Sequence, residues 1–347
     1  MGVRLVGTGK NYLGKDRKSI VVIGGGSGSS AALRGLKSHD LDLTAVVTMF
    51  DSGGSTGILR EEFGYPPLGD LRQCLIALSP EGDEQIAALN SALDFRFDFG
   101  SSLQGHSVGN LVIAALTTAY NGVQGAIDEL SRMMKLDGQV VPVTLDEAHL
   151  CARLINGQVI RTESAIDLRG KNGPGISEVF LDSEVKANPR ALDAIKNADA
   201  ILLGPGDLYT SVIPNLLVKD VSDAIRDTIS PVIYACNLMT KLGETAGYEV
   251  SAFASEVVRY IGGRKLDYLL VNTAKFSDRV LSEYAAEDAA PVELDNGIVE
   301  QFAHEIVMGD FVFVDGLTLR HHSSRLADAV MTAIGQPKQP QPSPGLD

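Results

Sequence analysis

The chain is poor in cysteine, in positive charge and in long apolar runs. Its three cysteines, Cys74, Cys151 and Cys236, lie far apart in apolar surroundings, and no CxxC pair occurs. That excludes the common zinc spacing and reads as buried, reduced thiols of a cytoplasmic protein. Lysine and arginine total 30 against 44 aspartate and glutamate, a formal net charge of −14. Nucleic acid is therefore not expected as a partner, because phosphate contact needs clustered Lys and Arg. No apolar run reaches the roughly 20 residues of a membrane-spanning helix. No GxSxG elbow supports a serine hydrolase. His106 has no second histidine at ligand spacing, so no metal ligands are assigned. No internal repeat is visible.

What remains is ordinary globular material, 347 residues with 44% hydrophobic and 21% charged. A core of that size needs no disulfide or metal. Residues 1–18 read as a basic arm carrying Arg4, Lys10, Lys15, Arg17 and Lys18. Residues 335–347 are rich in proline and glutamine and are expected to be disordered. Residues 19–334 read as a single α/β domain.

The centre of that domain is a pair of strand-to-glycine transitions. The apolar run 19–23 breaks into Gly24-Gly25-Gly26-Ser27-Gly28, and a helical pattern follows over 31–36. A second run, 43–50, breaks into the loop Asp51-Ser52-Gly53-Gly54-Ser55-Thr56-Gly57, with Arg60 just beyond. Gly26-Ser27-Gly28-Ser29-Ser30-Ala31 matches GxGxxA after a strand, where glycines let a phosphate reach backbone N–H groups at a helix N-terminus. Asp51 could hold a hydroxyl, a cation or an incoming nucleophile, or serve only as a turn or cap aspartate.

Helices are expected over 67–78, 83–97, 107–120 and 125–134. Asp70 and Ser107 stand where helix caps stand. Residues 139–181 read as an antiparallel insert, with Asn156-Gly157 as its hairpin turn. The α/β rhythm then resumes. It gives helix 189–197, strand 200–203, helix 214–225, strand 231–236, helix 251–261 and strand 268–271. A short strand over 311–314 and a closing helix over 325–334 complete it. Strands alternating with helices imply a doubly wound, mainly parallel Rossmann-like sheet in three layers. Its strand ends would gather Gly204, Gly206 and Ser211, and the polar loop with Asn237, Lys241 and Glu244.

Six of these stretches, in order, resemble the CofD/YvcK family over about residues 19–334. They are the loops beginning at Gly24 and Asp51, Gly69-Asp70-Leu71-Arg72, His106-Ser107-Val108-Gly109-Asn110, Gly204-Pro205-Gly206-Asp207, and Asn237-Leu238-Met239-Thr240-Lys241. The resemblance implies one of two functions. One branch holds magnesium-dependent 2-phospho-L-lactate transferases acting on a deazaflavin acceptor, and there Asp51 would be catalytic. The other holds gluconeogenesis factors, which bind UDP-sugars such as UDP-N-acetylglucosamine and support carbon metabolism, cell shape and cell-wall synthesis. The second branch fits better, because Gly53, Gly54 and Ser55 stand where the transferases tend to be acidic. It implies ligand contacts from Gly24, Gly25, Gly26, Ser27, Gly28, Ser52, Gly53, Gly54, Ser55, Thr56, His106 and Asn110. Later in the chain it implies them from Gly204, Gly206, Ser211, Asn237, Lys241, Glu244, Tyr284 and Arg320. Asp207 departs from the small residue usual after Gly-Pro-Gly. A homodimer and a partner protein in cell-wall synthesis are further expectations. A nicotinamide oxidoreductase, suggested by GxGxxA alone, is a third reading.

Overall fold

The computed structural model describes residues 17–98, 100, 103–170, 173–295 and 297–335. Most of the expected arm and nearly all of the expected tail lie outside them. The centre is set by strands that are apolar on both faces. In β1 (Lys18–Gly24), Ile20, Val21, Val22 and Ile23 are all buried. Such a strand needs a cover on each side, and helices supply it. The chain runs from β1 through α1 (Gly26–Leu36) to β2 (Leu41–Val47). Five helices follow, α2 (Gly54–Phe63), α3 (Gly69–Leu78), α4 (Glu84–Asp94), α5 (Val108–Ala119) and α6 (Val123–Met133), and then β3 (Gln139–Pro142).

A side sheet comes next, made of β4 (Leu150–Leu154), β5 (Val159–Arg161) and β6 (Ile176–Leu181), with α7 (Glu163–Asp167) between its last two strands. The main sheet resumes through α8 (Pro189–Asn197), β7 (Ala200–Leu203), α9 (Ile213–Leu216), α10 (Lys219–Asp227) and β8 (Val232–Ala235). It finishes through α11 (Val250–Tyr260), β9 (Leu266–Asn272), α12 (Asp278–Ala286) and β10 (Ala303–Gly309). A hairpin of β11 (Val312–Asp315) and β12 (Thr318–His321) leads into α13 (Ser323–Ala333).

The main sheet has seven strands in the order β10-β9-β8-β7-β1-β2-β3. Every neighbouring pair is parallel. From β1 the chain steps outward to β2 and β3, then crosses back to β7 and steps the other way. The reversal lies between β1 and β7, and ligands of such sheets bind in the crevice beyond the strand ends at that point. Among the described residues no helix is long and apolar enough to cross a membrane. The three cysteines are free and buried.

Several boundaries differ from the sequence reading. Gly54 begins α2, so the second glycine loop is only residues 51–53. Residues 139–142 are the edge strand of the main sheet, paired with β2, and not part of the insert. The antiparallel sheet is confined to 150–181, and its hairpin turn is at Asn156-Gly157 as expected. The expected helix 214–225 is broken after Leu216, and a π-type turn over Leu208–Val212 precedes it. The last main-sheet strand is β10, whereas the stretch read at 311–314 pairs only within its own hairpin. The half-exposed, charge-bearing sequence of β10 hides it from a search for apolar runs. Lys18, expected in the arm, opens β1.

Candidate functional site

Two loops meet at the reversal. Gly26, at φ +65°, opens α1 in the left-handed region that glycine tolerates. The α1 N-cap, Gly25, offers no side-chain hydrogen bond. A Cβ on Gly28 would fall 2.4 Å from the Pro205 carbonyl oxygen, so glycine is what lets α1 touch the 204–206 loop. The Ser29 hydroxyl donates to that carbonyl at 3.4 Å. Asn237 fixes the loop from the other side: its Nδ2 donates to the Gly206 carbonyl at 2.9 Å, and its Oδ1 accepts from the Tyr234 hydroxyl at 3.3 Å.

Above these loops opens a cavity of about 590 Å³. Of the residues named from sequence, Ser27, Gly206, Asn237, Lys241, Tyr284 and Arg320 line it. Gly24, Gly25, Gly26, Gly28 and Gly204 build the loops that carry Ser27 and Gly206 without forming its wall. Tyr284 lies on α12, an element the sequence reading missed. Its hydroxyl accepts a hydrogen bond from the Leu319 N–H at 2.8 Å, which ties α12 to the strand bearing Arg320. His321 also lines the cavity, and its Nε2 donates to the Cys236 carbonyl at 3.2 Å. Burial pushes its pKa down to about 4, so it is neutral at pH 7.

Lys241 is the most heavily engaged side chain. Its ammonium bonds Asp167, Asp207 at 2.7 Å and Glu244 at 3.3 Å. Burial works against its charge, but the surrounding carboxylates outweigh it and raise its pKa. Glu244 lies behind the cavity wall, 4% exposed, and accepts from the Thr210 hydroxyl at 3.2 Å. Desolvation pushes its pKa up to about 7. Asp167, Asp207 and Glu244 each bring an oxygen within 4.8 Å of the others, a grouping that could hold a cation. Here the Lys241 ammonium supplies that cation. Ser211 sits on the π-type turn, and its carbonyl accepts from Asn215.

The remaining candidates form a second cluster. Asp51 Oδ1 accepts from the Gly53 N–H at 2.8 Å, the turn geometry that was one of its two readings. Ser55, His106 and Asn110 are buried and bonded together: Ser55 Oγ lies 3.0 Å from His106 Nδ1 and accepts from Asn110 Nδ2 at 3.3 Å. None of these residues lines the cavity. Thr56 is also buried, and Gly54 begins the α2 helix. Ser107 caps α5 by accepting from the Asn110 N–H at 3.2 Å, as expected. Asp70 makes no such cap; its carboxyl accepts from the Gly26 N–H, beneath the first glycine loop. Burial, then the neighbouring Asp51, pushes its pKa up to about 7. Arg60 donates to the carbonyls of Ala148 and Asp51.

Helix α7 joins the two clusters. At one end Glu163 accepts from the Ser52 N–H at 3.1 Å, and the Ser164 N–H donates to Ser52 Oγ at 2.9 Å. At the other end Asp167 pairs with Lys241, and just beyond it Arg169 donates to the Gly243 carbonyl. Burial, with Asp51 beside it, pushes Glu163 up to about 8. The signal for α7 was present in sequence: Thr162 caps Ala165, and Glu163 and Asp167 stand one turn apart.

The CofD family, described as 2-phospho-L-lactate transferase CofD, matches residues 20–312. A protein of Halalkalibacterium halodurans named gluconeogenesis factor is 38% identical over 323 residues, covering 93% of this chain and 98% of its own length. The gluconeogenesis factor of Bacillus subtilis is 34% identical over 319 residues, covering 92% and 98%. A crystal structure of a Bacillus halodurans protein superposes with a TM-score of 0.86 at 37% identity, covering 91% of this chain and 99% of that one.

Proposed function

The chain belongs to the CofD family, among its gluconeogenesis factors, and from that premise we propose that it binds a UDP-sugar, UDP-N-acetylglucosamine foremost. The reading includes a regulatory role in the cytoplasm, in carbon metabolism, cell shape and cell-wall synthesis, through a partner protein of that last process. One observation carries it. Tyr284 and Arg320, remote in sequence from the glycine loops, line the same cavity as Ser27 and Gly206 at the sheet reversal. The N-terminus of α1 and the Gly206 loop offer backbone N–H groups to a diphosphate. Arg320 is exposed and free to pair with it. Tyr284 offers a ring for the base or sugar.

A ligand held in this way stabilises the fold by RT ln(1+[L]/Kd), about 2.7 kcal/mol at a hundredfold excess over Kd. Thermal unfolding with UDP-N-acetylglucosamine, UDP-glucose, GDP and NAD tests the reading. A rise with the UDP-sugars supports it, and no rise with either one overturns it.

A second reading, a phospholactyl transferase, rests on the other cluster. Asp51 shares a hydrogen bond with Glu163, whose carboxyl keeps its proton up to about pH 8, and Asp70 lies close by. These are hard oxygen donors suited to Mg²⁺, and Asp51 and Asp70 would hold it. Bound there, magnesium would neutralise charge on the donor's two phosphates as the bond between them breaks and the nucleotide leaves with its own phosphate. Asp51 would orient the acceptor hydroxyl and take its proton. Phospholactyl transfer to a deazaflavin alcohol by the purified protein would establish this reading.

A further inference from the structure

We propose that a second, smaller cavity, beyond the carboxyl ends of β2 and β3, binds a free apolar α-amino acid. Among the described residues it shares no wall with the cavity at the sheet reversal, so the inference stands apart from the nucleotide-sugar reading. Met49, just past β2, and Thr144, just past β3, bring the two strand ends to it. Tyr65 and Pro67, between α2 and α3, and Val123, at the start of α6, complete the wall. Parallel sheets place their ligands beyond such strand ends. Met49, Pro67 and Val123 are buried and Tyr65 is half-buried, so the wall is mostly apolar. The volume is about 180 Å³. That is below the roughly 300 Å³ at which sites for drug-sized ligands begin. An apolar cavity of about 150 Å³ takes a benzene ring, so this one has room for an apolar side chain of about four to seven carbons.

Arg60 lines the same cavity and is half-buried. Its guanidinium donates to two backbone carbonyls, Asp51 at 3.5 Å and Ala148, which leaves part of its five N–H donors unspent. Among the described residues no carboxylate pairs with it. Burial lowers its pKa, and the more distant carboxylates of Glu147, Asp182 and Asp51 do not restore it. A half-buried guanidinium in that state gains from a ligand carboxylate, which it can take on two parallel N–H···O bonds.

The rim supplies the opposite charge. Asp146 and Glu147 both line the cavity and are exposed. Asp146 is committed, because its Oδ2 accepts from the Lys186 N–H at 2.8 Å. The Glu147 carboxylate has no hydrogen bond or ion pair among the described residues. A cation and a carboxylate that flank one cavity without pairing suit a ligand that carries both charges. A simple carboxylate would be repelled by Glu147 and by the −14 of the whole chain. A zwitterion brings no net charge and offers its ammonium to Glu147. An α-amino acid holds carboxylate and ammonium on one carbon, which leaves its side chain for the apolar wall.

Isothermal titration of the full chain with leucine, isoleucine, valine, methionine and phenylalanine, at up to about 10 mM, tests this. Each amino acid is run beside two analogues, one without the ammonium and one without the carboxylate. Saturable binding of at least one of the five is expected, one per chain and about fivefold or more tighter than either analogue. Glu147→Gln, at an exposed position that leaves the circular dichroism unaltered, should weaken the amino acid by up to about fivefold without weakening its ammonium-free analogue. Arg60→Gln should weaken both by about tenfold or more. The proposal is overturned if none of the five binds. An ammonium-free analogue that binds as tightly as its amino acid overturns it too, as does an amino-acid affinity that Glu147→Gln leaves unchanged.

Discussion

The hydroxyl of Tyr284 accepts a hydrogen bond from the backbone N–H of Leu319 at 2.8 Å, so α12 and the β11–β12 hairpin meet at one wall of the cavity. That bond joins two elements from outside the glycine loops and sets Arg320 beside the tyrosine. The cavity is therefore assembled from distant parts of the domain. Loops after β1 and β7 bring Ser27 and Gly206 to it, and the C-terminal hairpin brings Arg320.

Replacing Arg320 with alanine should remove a charge-assisted contact worth about 1.5–3 kcal/mol, a loss of roughly 10- to 100-fold in affinity for the UDP-sugar. Because Arg320 is exposed, the unliganded melting temperature should stay within a degree or so. Calorimetric titration with a parallel thermal melt checks both halves. Tyr284→Phe should cost stability instead, about 1 kcal/mol, because it leaves the Leu319 N–H without its acceptor.

Asp207 stands 2.7 Å from the Lys241 ammonium and brings negative charge to the cavity wall. Asp207→Ser should release part of the lysine's charge towards a diphosphate. The pair is partly exposed, so the gain is limited to about 1 kcal/mol, up to fivefold tighter binding. Equilibrium titration at low and high salt checks this, and the difference between the variants should shrink as salt rises.

Gly28→Ala should destabilise the fold by about 1–3 kcal/mol and abolish ligand stabilisation. Its Cβ would fall 2.4 Å from the Pro205 carbonyl oxygen, forcing the two glycine loops apart. Thermal melts with and without ligand read both effects.

Glu244 gives the fold a pH dependence of known sign. Burial raises its pKa from an ordinary 4.5 to about 7. The folded protein thus keeps a proton that the unfolded chain releases. The stability linked to that proton is fully present below about pH 4.5 and is lost as pH rises through about 7. Glu244→Gln should remove this contribution. Measured by denaturant unfolding, the variant should gain on the wild type between about pH 5 and 8.

Much of the sheet was legible because its strands are buried on both faces and read as continuous apolar runs. β1, β7 and β8 are of this kind, and so is the Leu269-Leu270-Val271 centre of β9. β10 was not legible, because its half-exposed residues carry His304 and Glu305. The glycine loops were visible as loops, but their division into two clusters was not. Nothing in the string Asp51-Ser52-Gly53 shows that α7 would bond to it from 111 residues away through Glu163. Helix α5 was legible in the apolar pattern over 107–120, and the structure places it at Val108–Ala119.

We propose that the cavity between the glycine loops and the Tyr284–Arg320 wall takes a UDP-sugar. Isothermal titration of the purified chain with UDP-N-acetylglucosamine, repeated on Arg320→Ala, tests it most directly. Saturable binding of one ligand per chain is expected, weakening by roughly 10- to 100-fold in the variant. Absence of heat and saturation in the wild type, or equal affinity in the two proteins, would contradict it.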